Sequence, residues 1–114
     1  MIVETKQLTG AALDWAVAQC EGIELYGASD FKEQRTRVTD GGGNYLFRYS
    51  ANWAQGGPII ERERIELIPK GPTWDAMRED QHIPNEGPTP LIAAMRCYVA
   101  SKLGDDVEIP EELK

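Results

Sequence analysis

Read by the spacing of its apolar positions, the chain divides into two helical stretches with β-like segments between them. Ala12, Leu13, Ala16, Val17 and Cys20 share one helical stripe. Thr9 stands before it as an N-cap, Leu8 as a hydrophobic staple and Gly22 just past its end, which predicts a helix from Gly10 to Glu21. Trp15 lies on the other side of this helix with Ala11 and Ala18. An indole flanked by small residues makes a poor solvated face; either a strand layer or a second subunit can cover it. The second helix is the clearer one, "TPLIAAMRCYVASKLG". Thr89 is its N-cap, Pro90 its first residue and Gly104 its C′ residue. Leu91, Ile92, Met95, Tyr98, Val99 and Leu103 give it a wide apolar face. Ala93, Ala94, Arg96 and Cys97 are left to packing and surface.

Between the helices the pattern turns towards a period of two. "YLFRY", residues 45–49, reads as a strand with Tyr45, Phe47 and Tyr49 on one face and Leu46 and Arg48 on the other. "RTRV" ahead of it reads as a strand leading into a "TDGGGN" turn. "SANWAQGGP", 50–58, reads as a loop. Residues 59–68, "IIERERIELI", read as a strand with Ile65 and Leu67 in the core, Arg62 and Arg64 directed away from it, and a bulge near Ile60. "TWDAMRE", 73–79, reads as a third strand rather than a short helix, and "DQHIPNEGP" as a loop. The acidic tail is expected to dock Val107 and Ile109. The order α-β-β-β-α predicts an α+β fold: an antiparallel sheet of three to four strands with both helices packed on one face.

Length changes this picture little: 114 residues suit a single domain, 1–114. No apolar run approaches the ~18 residues of a membrane span. The start, "MIVETKQLTG", has neither the basic nor the apolar region of a signal peptide, so a cytoplasmic protein is expected. The formal charge of −7 argues against non-specific nucleic-acid binding. It also sets aside the double-stranded-RNA-binding domain, which has the same element order but a lysine cluster that is missing here. One small anionic ligand stays compatible with this charge, because a pocket needs only a few local donors.

Candidate chemistry is sparse. His82 is the single histidine, and Cys20 and Cys97 both sit at apolar helix positions, which suits buried thiols. Too few nitrogen and sulfur ligands are present for a zinc site. Glu61 and Glu63 can be drawn as a metal-binding pair, but they alternate with arginines and read more simply as paired surface charge. Without a nucleophile–base set or a phosphate-binding glycine motif, neither catalysis nor a cofactor is expected.

Three blocks, "LTGAALDWAVAQCEG", "NWAQGGPIIERERI" and "GPTPLIAAMRCYVASKLGD", resemble the phage NinX-like proteins, small proteins of tailed phages and prophages. The resemblance spans roughly residues 7–23, 50–68 and 86–113. It implies a phage accessory protein acting in the cytoplasm of the bacterial host, and it brings no catalytic motif with it.

Binding parts are easier to find than catalytic ones. In "WAQGGP", Trp53 offers a plate on which a base can stack, and Gln55, Gly56 and Gly57 let backbone approach a ligand closely. Arg48, Arg62 and Arg64 offer forked donors to phosphate. Thr89 opens a helix whose N-terminus suits an anion. Each also has a plain structural use: Trp53 as a plug at the core edge, the glycines as a tight connection, the arginines as partners of glutamates, Thr89 as a cap alone. Together they point to a module that sequesters a nucleotide-derived immune signal of the host, as an ADP-ribose-type molecule or a cyclic nucleotide, and that works as a homo-oligomer through the Trp15 face. Two other readings stay open. One is a protein-interaction module using the acidic residues, Asp105 to Glu112 among them. The other, more remote, is a metal-dependent nucleotide hydrolase using Glu61 and Glu63.

Overall fold

The structure, a computed structural model, describes residues 1–22, 37–39 and 44–113. In chain order these form β1 (Ile2–Glu4), α1 (Gly10–Cys20), β2 (Arg37–Thr39), β3 (Asn44–Leu46), α2 (Trp53–Glu63), β4 (Glu66–Lys70), β5 (Thr73–Met77), β6 (Asn85–Gly87), α3 (Pro90–Leu103) and β7 (Asp106–Glu108). The fold is α+β. Strands β4, β5 and β6 make an antiparallel sheet in that order, β1 pairs with β7, and β2 pairs with β3. The middle of the predicted "TDGGGN" turn lies outside the described residues.

The two predicted helices form where their end signals place them. Thr89 accepts a hydrogen bond from the Ile92 amide over 3.1 Å, capping α3. Thr9 occupies the N-cap position of α1 with an extended backbone, but its hydroxyl makes no capping bond. Helix α3 is buried almost all round, with Ala93, Ala94, Cys97 and Val99 as inaccessible as Met95. The cause is its central place. The sheet covers one side of α3, while α1 and α2 pack against it elsewhere. On the sheet side β6 comes very close: a Cβ on Gly87 would lie 2.5 Å from the Ala93 nitrogen. Both helices were expected against the sheet; α3 lies on it, and α1 packs mainly on α3.

The segment from Ala51 to Ile68 departs most from the alternating pattern. The loop and long strand expected there are instead the helix α2 followed by the short strand β4. Asn52 caps α2, its side chain accepting from the Ala54 amide over 2.9 Å. Gly56 and Ile59, three apart, are buried, and Ile60 is half-buried beside them. Pro58 stands inside the helix and removes one ladder bond. The charged run Glu61–Arg64 is the last helical turn rather than strand. Arg64 adopts the left-handed conformation at φ 56° and ψ 49°. The Arg64 amide then donates to the Glu61 carbonyl (3.3 Å) and the Ile65 amide to the Ile60 carbonyl (3.1 Å). These bonds close the helix in a Schellman motif and return a buried Ile65 to the core.

The strand predicted over 45–49 ends at Leu46. Beyond it Phe47 and Tyr49 still face inward, their rings stacked 5.4 Å apart. The third strand forms as expected, over Thr73–Met77. The expected loop after it contains β6, which pairs Ala76 with Asn85. In the tail, Val107 and Ile109 dock as predicted, with Val107 opposite Val3 in the β1–β7 pair.

Candidate functional site

Helices α2 and α3 meet near their first turns. The contact is tight because residue 56 lacks a side chain. A Cβ there would lie 2.5 Å from the Tyr49 carbonyl and 2.6 Å from Cδ1 of Leu91. This crossing brings Trp53, Gln55, Gly56 and Gly57 of α2 to the part of α3 that Thr89 caps. Arg48 joins them through the backbone: its amide donates to Oε1 of Gln55 over 2.6 Å, and its carbonyl accepts from the Asn52 amide over 2.7 Å. Arg48, Trp53 and Thr89 are exposed. Trp53 keeps 52% of its surface in water although it is the largest side chain on α2. Its ring lies over Gly57, where an added Cβ would reach only ordinary contact with Cε3 at 4.0 Å.

This surface is held from behind by Asp14. The Asp14 carboxylate is buried within α1 and accepts from the Ser50 amide over 2.9 Å. Burial pushes its pKa up to about 6, against the opposing pull of the Ser50 hydrogen bonds and the charge of Arg48.

Arg62 and Arg64 sit at the other end of α2. A nine-residue step along a helix is about 13 Å of rise and half a rotation, so Arg62 and Trp53 do not face one hollow. The expectation that both arginines share one face of a strand with an outlook towards Trp53 fails with the strand itself. Arg62 instead clamps Glu21 with two bonds of 3.1 and 2.6 Å, and reaches Glu63 at 3.0 Å and the Tyr98 hydroxyl at 3.1 Å. Its guanidinium lies 5.6 Å from the Tyr98 ring centroid, within cation–π range. The Tyr98 hydroxyl donates to Glu21 in turn. Burial raises the Glu21 pKa, but the bonds from Arg62 and Tyr98 outweigh it and hold the carboxylate below its ordinary value. Next to this cluster a cleft of about 300 Å³ is lined by Arg62, Glu63, Arg64, Arg78, Glu79 and Asp80. Its charges are matched: Arg64 pairs with Glu79 at 3.2 Å, and Arg78 with Glu63 at 3.4 Å.

A family model described as "Bacteriophage P22, NinX" matches residues 4–102. The chain belongs to the phage NinX family. The matched span takes in α1, α2, the three-stranded sheet and nearly all of α3, so the residues around Trp53 and those around Arg62 both lie within the NinX match. No curated protein matches the chain.

This NinX family member holds little other candidate chemistry among its described residues. Among the described residues no group of three or more His, Cys, Asp or Glu is placed to hold a metal ion, and no helix is long and apolar enough to cross a membrane. Glu63 is engaged by Arg62 and Arg78, while Glu61 is exposed. Cys97 is buried, its thiol donating to Gln81 over 3.0 Å. Burial lifts both Cys20 and Cys97 to about 11, so neither is a thiolate at neutral pH. His82 is exposed. Trp15 is partly buried against the core, so its face is covered in part within the chain itself.

Sequence reasoning missed Asp14, Glu21, Arg78 and Arg96. A signal existed for Asp14: one acid in the middle of an otherwise apolar helix turn, "ALDWA". Arg96 offered a similar one, a cation in the middle of a helix that is apolar nearly all round.

Proposed function

We propose that this phage protein is a non-catalytic accessory module that binds and sequesters a nucleotide-derived signal of its bacterial host, of the ADP-ribose or cyclic-nucleotide type, in the host cytoplasm. The observation that carries the reading is the half-exposed indole of Trp53 at the meeting point of two helix N-termini. Leaving that much indole in water forgoes on the order of a few kcal/mol of burial. Stacking on a nucleobase recovers about 1–3 kcal/mol of it. The first turns of α2 and α3 carry the positive ends of their helix dipoles, a field that favours an anion nearby. Arg48, exposed and tied to Gln55 through its amide, adds a positive charge to this surface, and Thr89 adds a hydroxyl. Gly57 leaves the indole face uncrowded. Arg62 and Arg64 contribute at most at long range, since their charge is already matched by Glu21, Glu63 and Glu79.

Calorimetry against ADP-ribose and a panel of cyclic di- and trinucleotides tests this. One panel member is expected to bind and to be recovered intact. Trp53→Ala should weaken that binding about tenfold or more, and Arg48→Ala should weaken it and reduce its salt dependence. Silence across the whole panel, or an affinity that Trp53→Ala leaves untouched, would overturn the proposal.

A further inference from the structure

A larger cleft, of about 990 Å³, opens between the Thr5–Gln7 turn and the loop before β6, and it shares no lining residue with the Trp53 surface. Arg96 and Ala100, one turn apart on α3, line it from below. Arg96 is held in place by backbone alone: Nε donates to the Leu8 carbonyl over 2.8 Å and Nη1 to the Glu86 carbonyl over 2.9 Å. Among the described residues it makes no ion pair, and its Nη2 has no hydrogen-bond partner. A half-buried guanidinium keeps its proton and requires a counter-charge. The cleft does not provide one in contact, yet its rim is acidic. Lys6 is taken by Glu4 at 3.3 Å, whereas Asp105 and Asp106 have no ion pair among the described residues, and Glu86 acts on Arg96 through space without pairing with it. Ile83 on the same rim is 79% exposed.

One fixed cation at the base of an acidic rim selects a particular charge pattern. A phosphate polyanion would meet Arg96 but be repelled by three carboxylates. A single carboxylate flanked by cations would satisfy both. The volume lies at the top of the range for small-molecule pockets, about 300–1,000 Å³, and so suits several residues of peptide better than one amino acid. We propose that this cleft receives the C-terminal end of a basic polypeptide: the terminal carboxylate is forked by Arg96, lysine or arginine side chains lie against Glu86, Asp105 and Asp106, and an apolar side chain covers Ile83. Capture of a chain end by fixed donors is a known recognition mode, and the opposite charges across the rim set its register.

Fluorescence anisotropy of the full chain with the N-terminally labelled peptide Lys-Lys-Ala-Leu tests this. The free-acid peptide is expected to bind about tenfold or more tightly than its C-terminal amide, the loss of one charge-assisted fork. Glu-Glu-Ala-Leu should not bind, and Asp105→Asn with Asp106→Asn should weaken the lysine peptide several-fold. Arg96→Gln should bring the acid down to the level of the amide. Because Arg96 also ties two carbonyls, the acid-against-amide comparison on the unaltered protein decides the matter even if that variant fails to fold. Equal binding of acid and amide, binding of neither, or competition by free lysine as effective as by the peptide would each overturn it.

Discussion

The Asp14 carboxylate and the Ser50 amide, 36 residues apart in sequence, are joined by a buried hydrogen bond of 2.9 Å. The bond fixes the turn that delivers the chain into α2, and it places a carboxyl group where water does not reach. With a folded pKa raised from 3.8 to about 6, the native state holds a proton that the unfolded chain has lost in that interval. The group therefore favours folding fully below its free value, and this contribution is lost as pH climbs through about 6. The size of the shift corresponds to ~3 kcal/mol. The stability of the native chain minus that of Asp14→Asn, from urea unfolding, should fall by about this amount between pH ~4 and pH ~8. A difference that stays flat with pH would remove Asp14 as a buried titrating group.

Gly56 and Gly57 are neighbours in one helix and should respond oppositely to alanine. At Gly56 the new methyl meets the Tyr49 carbonyl at 2.5 Å and Leu91 at 2.6 Å, so the α2–α3 crossing has to widen. Gly56→Ala should cost roughly 1–3 kcal/mol. At Gly57 the nearest group beyond its chain neighbours and its own helix backbone is the Trp53 ring at 4.0 Å, and the gain in helix propensity should stabilise by up to about 1 kcal/mol. Urea midpoints of the two variants check this; a harmless Gly56→Ala would mean that the helices do not cross as closely as described.

Arg64 holds a left-handed backbone at φ 56° that glycine accepts without strain. Its ion pair with Glu79 is exposed on both sides and worth little. Comparing Arg64→Gly with Arg64→Ala isolates the backbone, since both variants lose the pair. The glycine variant should be the more stable by about 1 kcal/mol in thermal or urea unfolding. Equal stability would argue against the Schellman end of α2.

Why the sequence betrayed α1, α3 and the α+β class but hid α2 follows from these same residues. Thr89-Pro90 and the two glycines Gly22 and Gly104 are end signals whose cause is local, so no tertiary knowledge is needed. In α2 the local signals oppose the outcome. Gly56, Gly57 and Pro58 all disfavour a helix interior, and Glu-Arg-Glu-Arg fits a period of two as easily as a terminal turn. Tertiary packing decides there. Gly56 is required by Leu91, and the reversal at Arg64 returns Ile65 to the core beside the buried Ile59 and half-buried Ile60. The candidate residues followed that misreading. At the start of the segment Gln55 bonds the Arg48 amide, and Gly56 meets Leu91 in the turn of α3 that Thr89 caps. Those at the segment's end, Arg62 and Arg64, were drawn towards Trp53 only by an assumed strand. Asp14 and Arg96 gain their character from burial in the assembled core, which spacing along a chain does not report.

Since the sheet, α1 and α2 all rest on α3, no outer layer can lift away without leaving an oily rod in contact with solvent. Local opening is thereby penalised almost as heavily as global melting. The amides of Ala94 to Val99 should be the last in the molecule to exchange for deuterium, at rates that track complete unfolding.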